Sequence, residues 1–507
     1  MQAAKKVAVN TSVQYVQLIL NVLIGLLSVR IILKSLGEVD YGVYNLLGGV
    51  ITLISFIRNS LTQTSIRFIS VSMGTGDLEQ VRHTFNACFS LHLVIGLALA
   101  VLLEIVGLFL FDGFLNIPED RIFAAKIVYH CMAFTLFLNV AVTPFTGVLA
   151  AHEQFVFTSA VGILDSVCKL LIALYVAVVG HDKLIVYGIL MAGIVAMNVC
   201  MYIGMVLIRY RDNVQFNRFD INEMKSVTGF AGWTLLDVLG SVLNRQGYAV
   251  MLNLFFGPVT NAVYALAGQV DGHIYSISSS VVDTIKPQIM KSQGAGDTSR
   301  VFRLSFTAGK FGFSMMSLVA IPLLIMMPEV LDLWLSDVPE GTVLFSRIMV
   351  AACMMEQMTR GLVHANQAIG RIKWFSIIVS SIRVMALPVS IIFLILGAKP
   401  YVTIIIYFIF ETLGSFSRVL VMSHITELKV GDFMKSVLLN LIPPFALSCI
   451  SGYLLFRFVS GIWGMLAVTL VCAAVFASVL YYFGLTKEER NSINSIVAPV
   501  IAKLFHK

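Results

Sequence analysis

The 45 residues from Gly37 to Val81 occur twice in this chain. Shifted by 220 positions, Gly37, Val39, Val43, Tyr44, Leu46, Gly48 and Val50 fall on Gly257, Val259, Val263, Tyr264, Leu266, Gly268 and Val270. Further along, Gly74, Gly76, Asp77 and Val81 fall on Gly294, Gly296, Asp297 and Val301. Without a gap, 17 of the 45 pairs are identical, more than two unrelated apolar segments share. Each copy predicts a short glycine-containing loop, an apolar helix and a polar Gly-x-Gly-Asp loop. A shift of 220 residues is far longer than a solenoid repeat. A tandem of two such units dictates a two-lobed chain, and internal repeats in membrane proteins commonly hold a site where the repeats meet.

Composition places those lobes in a bilayer. Of 507 residues, 58% are apolar and 12% charged, about half the charged share of a soluble domain. Window after window holds about 20 apolar residues, enough to cross a hydrocarbon core about 30 Å thick. The expected fold is all-α and polytopic, with about fourteen transmembrane helices. They fall near 13–34, 42–68, 85–110, 122–150, 157–179, 184–208, 227–256, 258–285, 302–328, 342–368, 374–396, 401–423, 437–459 and 462–484. Residues 1–210 form a first six-helix lobe, 211–226 a cytoplasmic linker, 227–424 a second six-helix lobe and 437–484 an appended pair. In the tail, 486–507, Thr486 and Glu489 have capping-box spacing. Ile493, Ile496, Val497, Val500, Ile501, Leu504 and Phe505 then recur with helical period, which reads as an amphipathic helix on the inner leaflet or a tail packed on the protein.

Lys and Arg set the orientation. With the N-terminus inside, the inner loops carry Arg67, Arg82, Arg209, Arg211, Arg300, Arg303, Lys429 and Lys435 among others. The outer loops are acidic, with Glu38, Asp40, Glu119, Asp120, Glu329, Asp332, Asp337 and Glu340. This positive-inside asymmetry puts both termini in the cytoplasm. It also accounts for the net charge of +7 without nucleic acid. No cleavable signal peptide is evident, because the apolar run after Lys5 and Lys6 is too long. The seven cysteines lie inside apolar segments without metal-ligand spacing, so they read as packing residues. No cofactor and no metal are implied. No Gly-x-x-x-x-Gly-Lys-Ser/Thr loop is present, which excludes a P-loop ATPase.

Ionisable residues inside membrane helices are candidate functional groups. Asp165 and Lys169, and Glu356 and Arg360, stand four apart and can neutralise each other; Glu411 and Arg418, seven apart, form a third candidate pair. Arg30, Arg58, Arg245 and Arg383 have no acid at that spacing. Arg30 lies near a helix end and can snorkel to the interface. Arg58 and Arg245 are deeper, and a planar, permanently charged guanidinium suits phosphate. Asp237 and Asp271 are candidates for ion coupling or for pairing with Arg245. Glu38 and Asp40 share one outer loop, as paired carboxylates do in lipid-dependent membrane glycosyltransferases. The short outer loops and the duplication argue against that enzyme class.

Leu36-Gly37-x-x-Asp40-Tyr41-Gly42-x-Tyr44, following an arginine-bearing first helix, resembles the polysaccharide and O-antigen flippases of the multidrug/oligosaccharidyl-lipid/polysaccharide (MOP) exporter superfamily. The second copy departs from the motif, with Phe256-Gly257 and Asn261-Ala262 at the matching places. The resemblance extends to the two six-helix lobes and the extra pair. It implies a non-enzymatic transporter in the cell inner membrane. Its cargo would be an undecaprenyl-pyrophosphate-linked oligosaccharide, moved to the outer leaflet through a cationic cavity while the lipid tail stays in the bilayer. Polysaccharide assembly proteins are the partners it suggests. Helix membership makes Arg30, Arg58 and Arg245 the residues expected to meet the pyrophosphate. A multidrug exporter of the same superfamily and a peptidoglycan-precursor flippase are the alternatives.

Overall fold

Glycine and aspartate shape the turns of the two copies in the same way. Gly37 and Gly257 adopt φ of 78° and 80°, and Gly76 and Gly296 adopt 78° and 75°. This left-handed region disfavours any residue with a Cβ. Asp77 then caps the following helix, its Oδ1 accepting the backbone N–H of Glu79 at 2.9 Å and of Gln80 at 3.3 Å. Asp297 does the same for Arg300 at 2.9 Å. The Gly-x-Gly-Asp loop is therefore a helix stop joined to a helix start.

The computed structural model describes residues 2–52, 55–111, 117–214, 216, 221–335, 337–491 and 493–494. Its regular elements are all helical. In chain order they are α1 (Gln2–Thr52), α2 (Ser55–Thr75), α3 (Leu78–Phe109), α4 (Ile122–Ala141), α5 (Thr143–Ala151), α6 (Phe155–Val178), α7 (Lys183–Arg209), α8 (Ile221–Phe256) and α9 (Pro258–Gly294). There follow α10 (Thr298–Ile325), α11 (Met327–Trp334), α12 (Thr342–Ile369), α13 (Ile372–Val384), α14 (Ala386–Ile395), α15 (Pro400–Ile425), α16 (Val430–Phe433), α17 (Leu439–Phe456) and α18 (Gly461–Val479). The first predicted loop shrinks to a single break at Gly37 inside α1.

Eleven stretches among the described residues are long and apolar enough to cross a membrane. The expected second, eighth and tenth helices are not among them. The eighth and tenth form as α9 and α12, but polar and charged side chains run along them; the second runs across residues 53–54, which lie outside the described residues.

The chain divides into two compact units. One is Ser12–Val238 with Gly294–Gly296; the other holds Leu239–Gln293, the chain from Asp297 onward and the N-terminal residues to Thr11. Helix α8 thus begins in the first unit and ends in the second. Within the first unit α3 packs on α4, α4 on α7, and α6 on α7. Within the second, α10 packs on α12, α12 on α15, and α13 on α15. The same packing order recurs because α10 starts 220 residues after α3 (298 against 78) and α12 starts 220 after α4 (342 against 122). Each unit has its own core. Leu47, Leu103, Val128, Tyr129 and Val140 are fully buried in the first, and Tyr248, Leu252, Ala267 and Ile404 in the second.

Proline marks three helix breaks, two of them inside stretches that the apolar pattern predicts as continuous helices. A proline offers no N–H to the carbonyl four residues back. Pro144 separates α4 from α5, Pro328 separates α10 from α11, and Pro388 separates α13 from α14. At the second break Arg347 restores the missing donors, with Nε on the Leu324 carbonyl at 2.9 Å and Nη2 on that of Ile325 at 3.0 Å. At the C-terminal end the capping box forms. The Thr486 N–H donates to Glu489 Oε2 at 2.8 Å and the Glu489 N–H to Thr486 Oγ1 at 3.3 Å, opening a helical turn over 487–491. The amphipathic residues from Ile496 on lie outside the described residues.

Candidate functional site

The second unit carries an ionic network spread over five helices. Its hub is Glu356 on α12, an acid buried among arginines. Glu356 Oε1 meets Arg360 Nη1 at 3.0 Å, Arg418 Nη2 at 3.2 Å and Arg383 Nη2 at 3.5 Å. Arg360 comes from the next turn of α12, Arg383 from α13 and Arg418 from α15. Arg418 also donates to Thr359 Oγ1 at 3.1 Å. Arg383 Nη2 lies 3.1 Å from Glu411 Oε2 on α15, and Asn244 Nδ2 on α8 donates to Glu411 Oε1 at 3.4 Å. Arg360 donates to the Tyr275 hydroxyl on α9 at 2.6 Å. Removing charges of both signs from water is tolerated only when such contacts satisfy them.

Asp271 and Arg245 form the outlying pair of the same unit, with Nη2 and Oδ2 3.4 Å apart. The Asp271 side chain is 9% exposed and that of Arg245 60%. The carboxylate is thus the fixed end of the pair, and the guanidinium reaches outward from α8. Four arginines (245, 360, 383, 418) face three acids (271, 356, 411), which leaves the network one positive charge in excess. The corresponding positions of the first copy are apolar: 220 residues before Glu356, Arg360 and Asp271 stand Leu136, Val140 and Ile51.

The first unit holds the remaining predicted residues. Arg30 and Arg58 are exposed, and neither guanidinium has an ion pair among the described residues. Asp237 is half-buried on α8, in the part belonging to this unit. The Asp165–Lys169 pair forms at 2.7 Å, and Asn198 Nδ2 donates to Asp165 Oδ1 at 2.7 Å. Asp40 is held by Arg121, whose Nε and Nη2 donate to its two oxygens at 2.7 and 2.6 Å. The same guanidinium meets Asp182 at 2.8 Å. Both Asp40 oxygens thus accept from one guanidinium. Sequence spacing finds Glu356 with Arg360 and Asp165 with Lys169. It misses Arg383 as the bridge between two acids and the direct bond of Arg418 to Glu356, which accompanies its longer-range attraction to Glu411. Among the described residues no three His, Cys, Asp or Glu side chains gather as a metal site.

The chain is a helical membrane protein whose second unit holds a buried ion network. Its solved structural neighbours are transporters of the MOP superfamily, and the fold is theirs. A MATE protein in its straight conformation superposes with a TM-score of 0.72 at 14% identity, covering 85% of this chain and 97% of its own. A MOP superfamily transporter from Pyrococcus furiosus, described as having a binding pocket of reversed polarity, gives 0.69 at 14% identity, with 85% and 96% covered. An outward-facing multidrug resistance MATE transporter gives the same values. By sequence the chain matches no described protein family and no curated protein.

Proposed function

We propose that the protein is a secondary transporter of the MOP type that moves an anionic, lipid-linked cargo by alternating access. The specific reading is an undecaprenyl-pyrophosphate-linked oligosaccharide carried from the inner to the outer leaflet of the cell inner membrane. The observation that carries it is the state of the buried charges. Asp271, Glu356 and Glu411 are each engaged by arginine, so no buried acid of the network is left for a cationic drug. Arg245 is paired but outward-reaching, and Arg58 is exposed without an ion pair among the described residues. Such guanidinium groups suit a pyrophosphate through paired hydrogen bonds. Polysaccharide assembly proteins are the proposed partners. Drug export is the second reading, favoured by the multidrug resistance transporter among the structural neighbours.

The test is translocation of a lipid-pyrophosphate oligosaccharide in proteoliposomes, read by protection of the sugar from an external glycosidase, with and without a proton gradient. Protein-dependent change in protection supports flipping, and a gradient effect lost in Asp271→Asn or Asp237→Asn identifies the coupling acid. Efflux of a cationic dye with no glycan movement moves the assignment to drug export. Arg58→Ala and Arg245→Ala are each expected to lower transport about tenfold, a loss of about 1.4 kcal/mol, with insertion intact. Wild-type rates in both would remove these arginines from the site.

A further inference from the structure

Lys310 has no role in the network above, yet it is buried to 2% exposure. It stands 12 residues into α10 (310 against 298), about 18 Å along the helix at 1.5 Å per residue. An ammonium at that place must find acceptors within the protein. It finds them in the segment that follows the last membrane helix. Lys310 Nζ donates to Glu489 Oε2 at 2.8 Å, to Glu489 Oε1 at 3.1 Å and to the Gly484 carbonyl at 3.2 Å. An ammonium has three hydrogens, so these contacts can account for all of them.

Both acceptors are presented by local structure that the chain builds after α18. Leu480–Gly484 is a turn of π-helix, and a helix end leaves carbonyls such as that of Gly484 without a partner in the ladder. Glu489 is the acid of the Thr486 capping box, which fixes the direction of its carboxylate. Around this contact Arg490 Nη2 donates to the Tyr482 carbonyl at 2.7 Å, and Arg303 of α10 lies 3.7 Å from Glu488. Helix α10 also packs on α17 and α18. The duplication supplies an internal control. The residue 220 positions before Lys310 is Ser90, buried and uncharged, in the copy that has no appended helix pair.

We infer that Lys310 and Glu489 form a latch that fastens the end of the appended pair α17–α18 to α10 and makes that pair a fixed part of the second unit. The charge stands in the one copy that is followed by the appended pair. The latch is independent of what the protein carries.

Backbone hydrogen exchange of the full-length protein in detergent tests it. Amides of 487–491 should exchange about tenfold faster in Lys310→Met than in wild type, because opening of the turn loses its buried anchor. Lys310→Arg, which keeps the cation, should recover most of the protection. Glu489→Gln retains an acceptor for the Thr486 N–H and loses the charge. It should show the same acceleration, which keeps the inference testable if Lys310→Met does not fold. Thr486→Ala, which removes only the hydroxyl cap, should accelerate 487–491 and leave trypsin cleavage after Arg303 at the wild-type rate, whereas Lys310→Met should raise that cleavage. Exchange at 487–491 within about twofold of wild type in both Lys310→Met and Glu489→Gln would overturn the latch.

Discussion

Glu356 holds three guanidinium groups at once, two of them on other helices. Its value to the fold comes from what its removal would leave behind. Arg418 and Arg383 are 3% and 12% exposed, so in Glu356→Gln they remain buried beside a neutral amide. Breaking a buried ion pair from one side costs about 3–5 kcal/mol, and denaturant unfolding in mixed micelles should show a loss of that size. Asp271→Asn should cost under about 1 kcal/mol, because its partner Arg245 is largely exposed and screened. Equal losses in the two variants would show that Glu356 is not the hub. The contrast also explains what residue spacing can reveal. Glu356–Arg360 and Asp165–Lys169 are legible because one turn of helix brings them together. Arg383 has no acid on its own helix within reach, and only the packing of α13 against α15 and α12 supplies two.

At the scale of elements, glycine and proline mark the boundaries in the sequence, but the consequences differ. Gly37 has a φ of 78° and no neighbouring atom within 4 Å of an added Cβ. Gly37→Ala should therefore cost about 1–2 kcal/mol from backbone strain alone. Gly48→Ala, equally uncrowded but with ordinary helical backbone, should be neutral or stabilising by the same unfolding measurement. Internal prolines are legible as residues, but whether one bends a helix or ends it depends on packing. Pro443 and Pro444 stay inside α17, whereas Pro144 and Pro388 sit at breaks.

The Arg121 clamp is an element-scale device that spacing could not reveal, since it joins the N-terminal ends of α4 and α7 to Asp40 across 81 and 61 residues. Burial pushes the Asp182 carboxyl up, but the contacts with Arg121 and the N–H groups of Ile185 and Leu184 outweigh it and hold Asp182 below its usual value. A carboxylate depressed in the folded state contributes stability above its unfolded pKa, about 3.9, and loses it as pH falls through the lower folded value. Asp182→Asn should therefore lower the thermal midpoint at pH 7. The gap to wild type should close as pH falls below about 4. A gap that is constant down to the acid limit would show that Asp182 acts only as the cap of α7.

Over the whole molecule, the duplication was legible because turn residues changed least: glycine with positive φ and capping aspartate tolerate few replacements. The divergence that gives the two units different chemistry was legible only position by position, as in Asp271 against Ile51. Two of the five helices that carry the charged network, α9 and α12, are missed by hydropathy because they trade apolar length for ionisable groups. Charge outside the spans predicts the remaining global property, orientation. One candidate span, Lys183–Arg209, separates the loop at His181 from that at Asp212, which predicts that the two face opposite sides of the bilayer. The basic side flanking Asp212 holds Arg209 and Arg211, while His181 adjoins Asp182. The positive-inside asymmetry then predicts that, in intact cells, a membrane-impermeant thiol reagent labels His181→Cys above the parent background. Asp212→Cys should be labelled only after permeabilisation. The reverse pattern would invert the protein in the membrane, and with it the direction in which any cargo is carried.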